Sequence, residues 1–380
     1  MGAGVTGMPD ILSEQPGETM NDSSHLVHRR RHDCSRGPRR LLDGARPGHH
    51  LDVTTGDDMK TTTTLTAAAL AAVTALTLSA CGGSSAASDA STATTGFPEV
   101  LRLGAIPAEN STDLAAGYDP IIKMLEAETG AKVEVSQASD YAGVIEGLIA
   151  DKVDLAFLGS FAYVIATHND AAITPLGAVV AEKGVDPGYY SLGITQGDNA
   201  EIDGLEDFAG RSVCFVDPGS TSGFLYPSSG LIDAGIIESG TEKDLAQGVQ
   251  PVFAGGHDAS ALAVAAGDCE AGFAMQSMVE DTLPEAGDLA EGDLKEVWKS
   301  PKISGSLFVG NDALGAEAIE TLTTLITEKA NSEYLLSKGY CDGECLLTDE
   351  DAWGFAPAQD SDYDGTREVC TLTKSDKCEG

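Results

Sequence analysis

SVCFVDPGSTSGFLYPSSGLIDA, residues 212–234, decides the fold. Residues 212–216 form a short apolar run with strand character, and residues 222–234 read as a helix. Between them lies Asp217-Pro218-Gly219-Ser220-Thr221-Ser222-Gly223. Strand, glycine-rich turn and helix make up the repeating unit of an α/β sheet, and such turns are where these sheets meet ligands. Glycines let the backbone turn tightly and approach a ligand closely. Hydroxyls at the helix start sit beside unpaired N–H groups, and the helix dipole adds roughly half a positive charge. An anion can therefore be held here without Arg or Lys. An ordinary N-cap needs only one hydroxyl, and three in a row between Gly219 and Gly223 exceed that need. The run is no nucleophile elbow, because Thr221 occupies the position that needs Ser. Nor is it a Walker loop, because no Lys follows the second glycine.

The same alternation extends in both directions. Downstream, a strand is expected over 249–253, a helix over 258–266 and a strand over 269–274. Upstream, an apolar run at 100–105 ends at Pro107. A helix over 119–128 carries Ile121, Ile122 and Leu125 at helical spacing. A strand at 132–135, a helix at 141–150 (Val144, Ile145 and Leu148 on one face) and a strand at 153–158 follow. This rhythm implies a parallel sheet with right-handed crossovers. It restarts after 189–194, and Leu307-Phe308-Val309 is a late strand before helices at 316–330 and 332–337. Two similar α/β units, the first completed by the tail, describe a two-lobed clamshell with two crossing strands. Lobe 1 takes residues 98–193 plus 307–380, lobe 2 takes 194–306, and a ligand belongs in the cleft between them.

Residues 1–58 are rich in Arg, His, Gly and Asp without apolar periodicity, and they are expected to be a mis-called, disordered upstream segment. Met59-Lys60 opens an export signal over 59–80, whose apolar stretch from Leu65 to Leu78 is too short to span a membrane. The signal ends in Leu78-Ser79-Ala80-Cys81, which resembles a bacterial lipobox. That likeness implies a diacylglyceryl thioether on Cys81, a stable membrane anchor at about 0.8 kcal/mol per buried CH₂. Residues 82–96, GGSSAASDASTATTG, read as a flexible tether.

Apolar residues at 42% suit a globular α/β protein and exclude a membrane bundle. Eight Lys/Arg and nine Asp/Glu in residues 1–81 nearly cancel, so almost all of the net charge of −37 lies beyond Cys81. Nucleic acid is a poor partner for such a surface. Six cysteines lie in the folded part: Cys214, Cys269, Cys341, Cys345, Cys370 and Cys378. An even number in an exported chain reads as disulfides. Cys214 and Cys269 fall in strands of one lobe and are paired on that ground. The pairing of the other four stays open. Cys-x3-Cys and Cys-x7-Cys are loose spacings for zinc, and no metal or cofactor is expected.

GSTSGFLYP (219–227), SDYAGVIEGL (139–148) and VDLAFLGSFAYV (153–164) resemble the phosphonate- and phosphite-binding proteins of ABC importers. DPGYYS (186–191), GGHDASALAV (255–264) and VWKSP (297–301) continue the resemblance in the family's order. It implies a type II periplasmic-binding-protein fold, an ABC permease and ATPase as partners, a monomer, an extracytoplasmic location and no catalytic residue. Ser220, Thr221 and Ser222, between Gly219 and Gly223, are implied to bind a phosphorus oxyanion through hydroxyls and amides. Tyr141 is implied to donate its phenol from the other lobe, and His257 an imidazole N–H. Glu109, Leu158, Tyr189, Tyr190, Ser277 and Ser306 are candidate cleft-lining positions.

Relatives that read aminoalkylphosphonates place acids at two positions where this chain has Ser277 and Ser306. Without a carboxylate, a buried ligand ammonium is costly to desolvate. The expected ligand therefore lacks an amine: phosphite, methylphosphonate or, less favoured, phosphate. Phosphate keeps a protonated oxygen that wants an acceptor, and the matched motifs offer none, although Glu109, Asp140, Asp217 and Asp258 are nearby in sequence. A phosphonate-processing enzyme on the same fold would need a metal cluster, an activated nucleophile or a paired base. A lipoprotein presenting its ligand to a membrane receptor is the other alternative.

Overall fold

The structure, a computed structural model, describes residues 96–106, 114–343, 345, 347–350 and 352–378. The export signal, Cys81, the tether up to Thr95 and the candidate position Glu109 lie outside them.

Two sheets carry the fold. The first has the order β11-β4-β10-β3-β1-β2, with β1 Val100–Ala105, β2 Lys132–Gln137, β3 Leu155–Leu158, β4 Ile173–Val180, β10 Leu307–Asn311 and β11 Gly354–Ala356. The second has the order β7-β6-β8-β5-β9, with β5 Ser191–Gln196, β6 Ser212–Phe215, β7 Gln250–Phe253, β8 Ala271–Met275 and β9 Leu294–Lys299. Helices α1 Leu114–Thr129, α2 Tyr141–Ile149 and α3 Ser160–His168 belong to the first half. Helices α4 Tyr226–Asp233, α5 Glu242–Gly248, α6 His257–Ala266 and α7 Leu283–Ala286 belong to the second. The returning chain adds α8 Ala316–Thr324, α9 Ser332–Lys338 and α10 Asp364–Thr373.

The first sheet differs from the parallel one expected. Strands β1, β2 and β3 are parallel, but β10 runs antiparallel to both β3 and β4, and β11 antiparallel to β4. Chain reversal explains the mixture: β10 enters lobe 1 on the way back from lobe 2, so it must point the other way. The second sheet is mixed for the same reason, with β5 antiparallel to β8 and β9. The two crossing segments touch each other. Tyr189 and Ile303 exchange backbone hydrogen bonds of 3.2 and 2.9 Å, and Ser191 N–H donates to Ser300 Oγ at 2.9 Å. Gly188, at φ +137°, allows this approach, because a Cβ there would lie 2.6 Å from the Ile303 carbonyl oxygen.

The strands are built as their sequences require. Leu101, Leu103 and Ala105 alternate into a core with Ile121, Leu125 and Phe308, while Val144 and Leu148 of α2 cover the other face of the sheet. Asp140 caps α2 by accepting from Gly143 N–H at 2.8 Å. The tail, assigned to lobe 1 from the sequence, also contacts lobe 2. Helix α10 packs on α3 of lobe 1 and on α4 of lobe 2. Beyond it, Gly240 N–H donates to Thr373 O at 2.6 Å, and Glu242 N–H to Asp376 at 3.1 Å.

The sulfurs pair as Cys214–Cys269, Cys341–Cys345 and Cys370–Cys378. The first ties β6 to the residue leading into β8, its parallel neighbour. Closing its loop restricts the unfolded chain by about 4 kcal/mol in the chain-entropy treatment. Replacing both Cys214 and Cys269 by Ala should lower the calorimetric unfolding temperature by several degrees without altering the far-ultraviolet circular dichroism. An unchanged midpoint would show that this bond does not form.

Candidate functional site

The glycine-rich turn is a tight helix entry. Ser220 is its N-cap: its Oγ accepts from Gly223 N–H at 3.0 Å. The next five residues, Thr221–Leu225, form a π turn closed by Tyr226 N–H on Thr221 O, before α4 begins. Such turns widen the backbone locally and recur at functional sites. Because Ser220 satisfies the capping need, Thr221 and Ser222 are released from it. Their amides, in the first turn, take no acceptor among the described residues. Gly223 leaves no room for a side chain, as a Cβ would meet Val216 at 2.3 Å. Its amide is already used by Ser220, so it contributes shape only.

Thr221 joins the lobes. Its Oγ1 accepts from Phe161 N–H at 2.8 Å, in the first turn of α3. Gly159, which caps α3, permits the contact: a Cβ there would stand 2.9 Å from Thr221 Oγ1. Gly219 is hemmed in similarly: a Cβ there would stand 3.0 Å from the Tyr141 Cβ. Asp217 reinforces this seam by accepting from Gly219 N–H at 2.7 Å and from the Tyr141 amide of the opposite lobe. Burial raises the pKa of its carboxyl, and the two amides partly offset that.

Between the lobes lies a small cavity lined by Ile106, Tyr118, Tyr141, Phe157, Gly159, Tyr189, Ser220, Thr221, His257, Met275, Ser306 and Glu350. Its volume is about 30 Å³, against roughly 10–15 Å³ for one ordered water. A compact tetrahedral group is the right order of size. No Lys or Arg lines it among the described residues.

His257 opens α6 after Gly255-Gly256 and is 4% exposed. Its Nδ1 accepts from Met275 N–H at 3.0 Å. The proton is thereby placed on Nε2, 3.5 Å from Ser222 Oγ. Burial pushes the imidazole pKa down to about 3, so the ring is neutral. This geometry also removes a Ser–His catalytic pair: a protonated Nε2 cannot take the Ser222 proton, and Nδ1 has an amide where a catalytic orienting carboxylate would be.

Tyr189 faces Ser222, Thr221 and Ser306 with its hydroxyl; burial first, and then the Glu350 charge, push its pKa well up, so it remains a donor. Thus Ser220, Thr221, Tyr141, His257, Tyr189 and Ser306 converge on one cavity, with Ser222 beside His257. Leu158, Tyr190 and Ser277 do not line it. Leu158 is fully buried, and the β3 residue that lines the cavity is the adjacent Phe157, whose side chain takes the opposite face. Tyr190 lies under the Lys299 ammonium at 4.6 Å, and Ser277 precedes the turn Met278–Thr282.

Six lining residues went unread in the sequence: Ile106, Tyr118, Phe157, Gly159, Met275 and Glu350. Tyr118 sat just before the helix read at 119–128, Gly159 just past the strand read at 153–158, and Glu350 in a stretch with no periodicity at all. Asp140, Asp217 and Asp258 are absent from the lining. A larger groove of about 700 Å³ between α3 and α10 holds Arg367, Lys374 and Lys377. Arg367 there is already paired with Asp360 and Asp364.

Residues 103–363 match the family described as "ABC transporter, phosphonate, periplasmic substrate-binding protein". The chain is 58% identical over 291 residues, covering 76% of this chain and 91% of the relative, to "Phosphate-import protein PhnD" of Mycolicibacterium smegmatis. It is 29% identical to "Phosphonates-binding periplasmic protein" of Escherichia coli, over 56% of this chain and 60% of that one. Among solved structures, a binding protein component of an ABC phosphonate transporter from Pseudomonas aeruginosa superposes with TM-score 0.61 at 27% identity, over 72% of this chain and 86% of that one. The fold is shared with PhnD1 of Prochlorococcus marinus, solved with methylphosphonate, at TM-score 0.59 and 22% identity, over 72% and 97%.

The neutral His257 sets a pH dependence. In the unfolded chain its pKa returns to about 6.5, so the unfolded state takes up the proton first as pH falls. Stability is full above about pH 6.5 and declines below it, by about 2 kcal/mol at pH 5 from this residue alone. Denaturant titrations of wild type and His257→Gln from pH 7.5 to pH 5 should show a flatter profile for the variant. Parallel profiles would mean that His257 is protonated in the fold.

Proposed function

This chain belongs to the family of periplasmic substrate-binding proteins of phosphonate ABC transporters, and from that premise we propose that its cleft captures a small phosphorus oxyanion without an amine. It is the substrate-binding component of an importer and not an enzyme. The observation that carries the ligand class is the cavity itself: convergent neutral donors around about 30 Å³. In this reading Thr221 and Ser222 supply amides and hydroxyls, Ser220 and Ser306 hydroxyls, Tyr141 and Tyr189 phenols, and His257 its Nε2–H. Neutral donors aimed inward stabilise an anion much as a helix N-terminus does. The small enclosed space suits a compact anion better than an extended one.

Closure belongs to the same reading. The Thr221–Phe161 bond and the close approaches at Gly159 and Gly219 exist only when the lobes meet, so ligand binding and lobe closure are coupled. A permease and ATPase would receive the closed form. The six cysteines form the three pairs seen, in keeping with an oxidising compartment. A lipid on Cys81 would hold the protein at the outer face of the cytoplasmic membrane.

Calorimetry against phosphate, phosphite, methylphosphonate and 2-aminoethylphosphonate tests the ligand class. The first three should include the tightest binder, and Thr221→Ala should weaken it about 10- to 100-fold, the worth of a hydrogen bond to a charged group. Tightest binding to the amino compound would sink the reading. For the anchor, Cys81→Ser should move the protein from the membrane to the soluble fraction and abolish labelling by a radioactive fatty acid. Labelling that survives the substitution would place the lipid elsewhere.

A further inference from the structure

Each polar side chain that lines the cavity can donate a hydrogen bond, except one. Glu350 is the single carboxylate among the described residues that line the cavity. It belongs to no motif, and the fold takes trouble to place it. Leu347 and Ala352 exchange backbone hydrogen bonds of 3.1 and 2.9 Å, closing a small hairpin whose tip is the turn Thr348–Glu350. Thr348, a β-branched residue, holds φ +61°, a conformation that costs energy and persists where surrounding structure enforces it. The enforcement is visible. Leu347 is fully buried, and the Thr348 carbonyl presses on Gly117 of α1, where a Cβ would lie only 2.8 Å away. Ser332 Oγ ties both flanks, donating to Cys345 O at 2.6 Å and lying 3.1 Å from Trp353 O. The half-buried carboxylate so placed acts on Tyr189 across the cavity.

We infer that Glu350 is a specificity residue that accepts the P–OH proton of the bound oxyanion, so the cleft selects phosphate over tetrahedral anions that carry no proton. This rests on the phosphorus-oxyanion reading and sharpens it. A phosphate oxygen bearing hydrogen is a donor, and in a cavity of donors it needs one acceptor. A fully deprotonated anion would instead set one of its oxygens against the carboxylate, a like-charge contact in a desolvated site. Phosphate retains a hydroxyl throughout the neutral range, whereas sulfate and the phosphite dianion have none. A ligand ammonium could also pair with Glu350, but the small enclosed space favours a compact anion over one that carries an aminoalkyl chain.

The test is competition calorimetry on the full chain at about pH 8, where phosphate, phosphite and sulfate are all dianions and only phosphate bears a hydroxyl. Wild type should bind phosphate at least tenfold more tightly than phosphite or sulfate. Glu350→Gln, whose amide can donate where the carboxylate could not, should bind phosphate at least tenfold more weakly and bring the three anions within about threefold. Glu350→Asp should keep the order of preference with reduced affinity, which guards against a Gln variant that does not fold. Wild type binding phosphite or sulfate as well as phosphate would overturn the inference, as would a Gln variant that folds and keeps the wild-type preference. So would a preference for 2-aminoethylphosphonate that Glu350→Gln abolishes. If wild type binds no phosphorus oxyanion at all, the ligand class itself is wrong, and that outcome is distinct from these.

Discussion

The hydrogen bond from Phe161 N–H to Thr221 Oγ1, 2.8 Å long, crosses from one lobe to the other at the cavity wall. Much of the site depends on it. It fixes the Thr221 side chain, so the amides of Thr221 and Ser222 hold their aim. It is possible only because Gly159 and Gly219 lack side chains at the seam. It also brings the first turn of α3 against the π turn that precedes α4, so two helix starts face one small space. Their positive dipole ends partly replace the cation that the cavity lacks.

Neutral recognition brings its own constraints. A charged histidine would attract an anion but would be expensive to bury without one. The Met275 amide avoids this by occupying Nδ1. The proton stays on Nε2, and the neutral ring keeps a fixed donor. The buried Tyr189 phenol is likewise held protonated. Each group is a donor by construction, which makes one placed acceptor informative.

Legibility in the sequence followed locality. The Gly219–Gly223 turn was readable because cap, glycines and helix are contiguous, and the surplus of hydroxyls over capping need matched what Ser220 alone came to do. His257 was readable from Gly255-Gly256 and the helix after it. Helix α3, strand β4 and helix α10 were not. Residues 160–166 of α3 are buried throughout, so they show no amphipathic period. Helix α10 packs between the lobes, and its role appears only when both are present. Leu158 and Phe157 show the limit of register: adjacent strand residues face opposite sides, and one position separates wall from core.

By itself the sequence determined that this is a two-lobed α/β protein with a hydroxyl-rich glycine turn at a helix start, because strand and helix periodicity and helix-start chemistry are properties of neighbours along the chain. Only the tertiary structure decided what the turn would face. Tyr118, Tyr189, Ser306 and Glu350 come from four segments far apart in sequence and meet through the crossing strands and the returning tail. The physical reason is that a cleft is a property of closure: its donors, its volume and its one acceptor are set by which surfaces touch, and no local pattern records that.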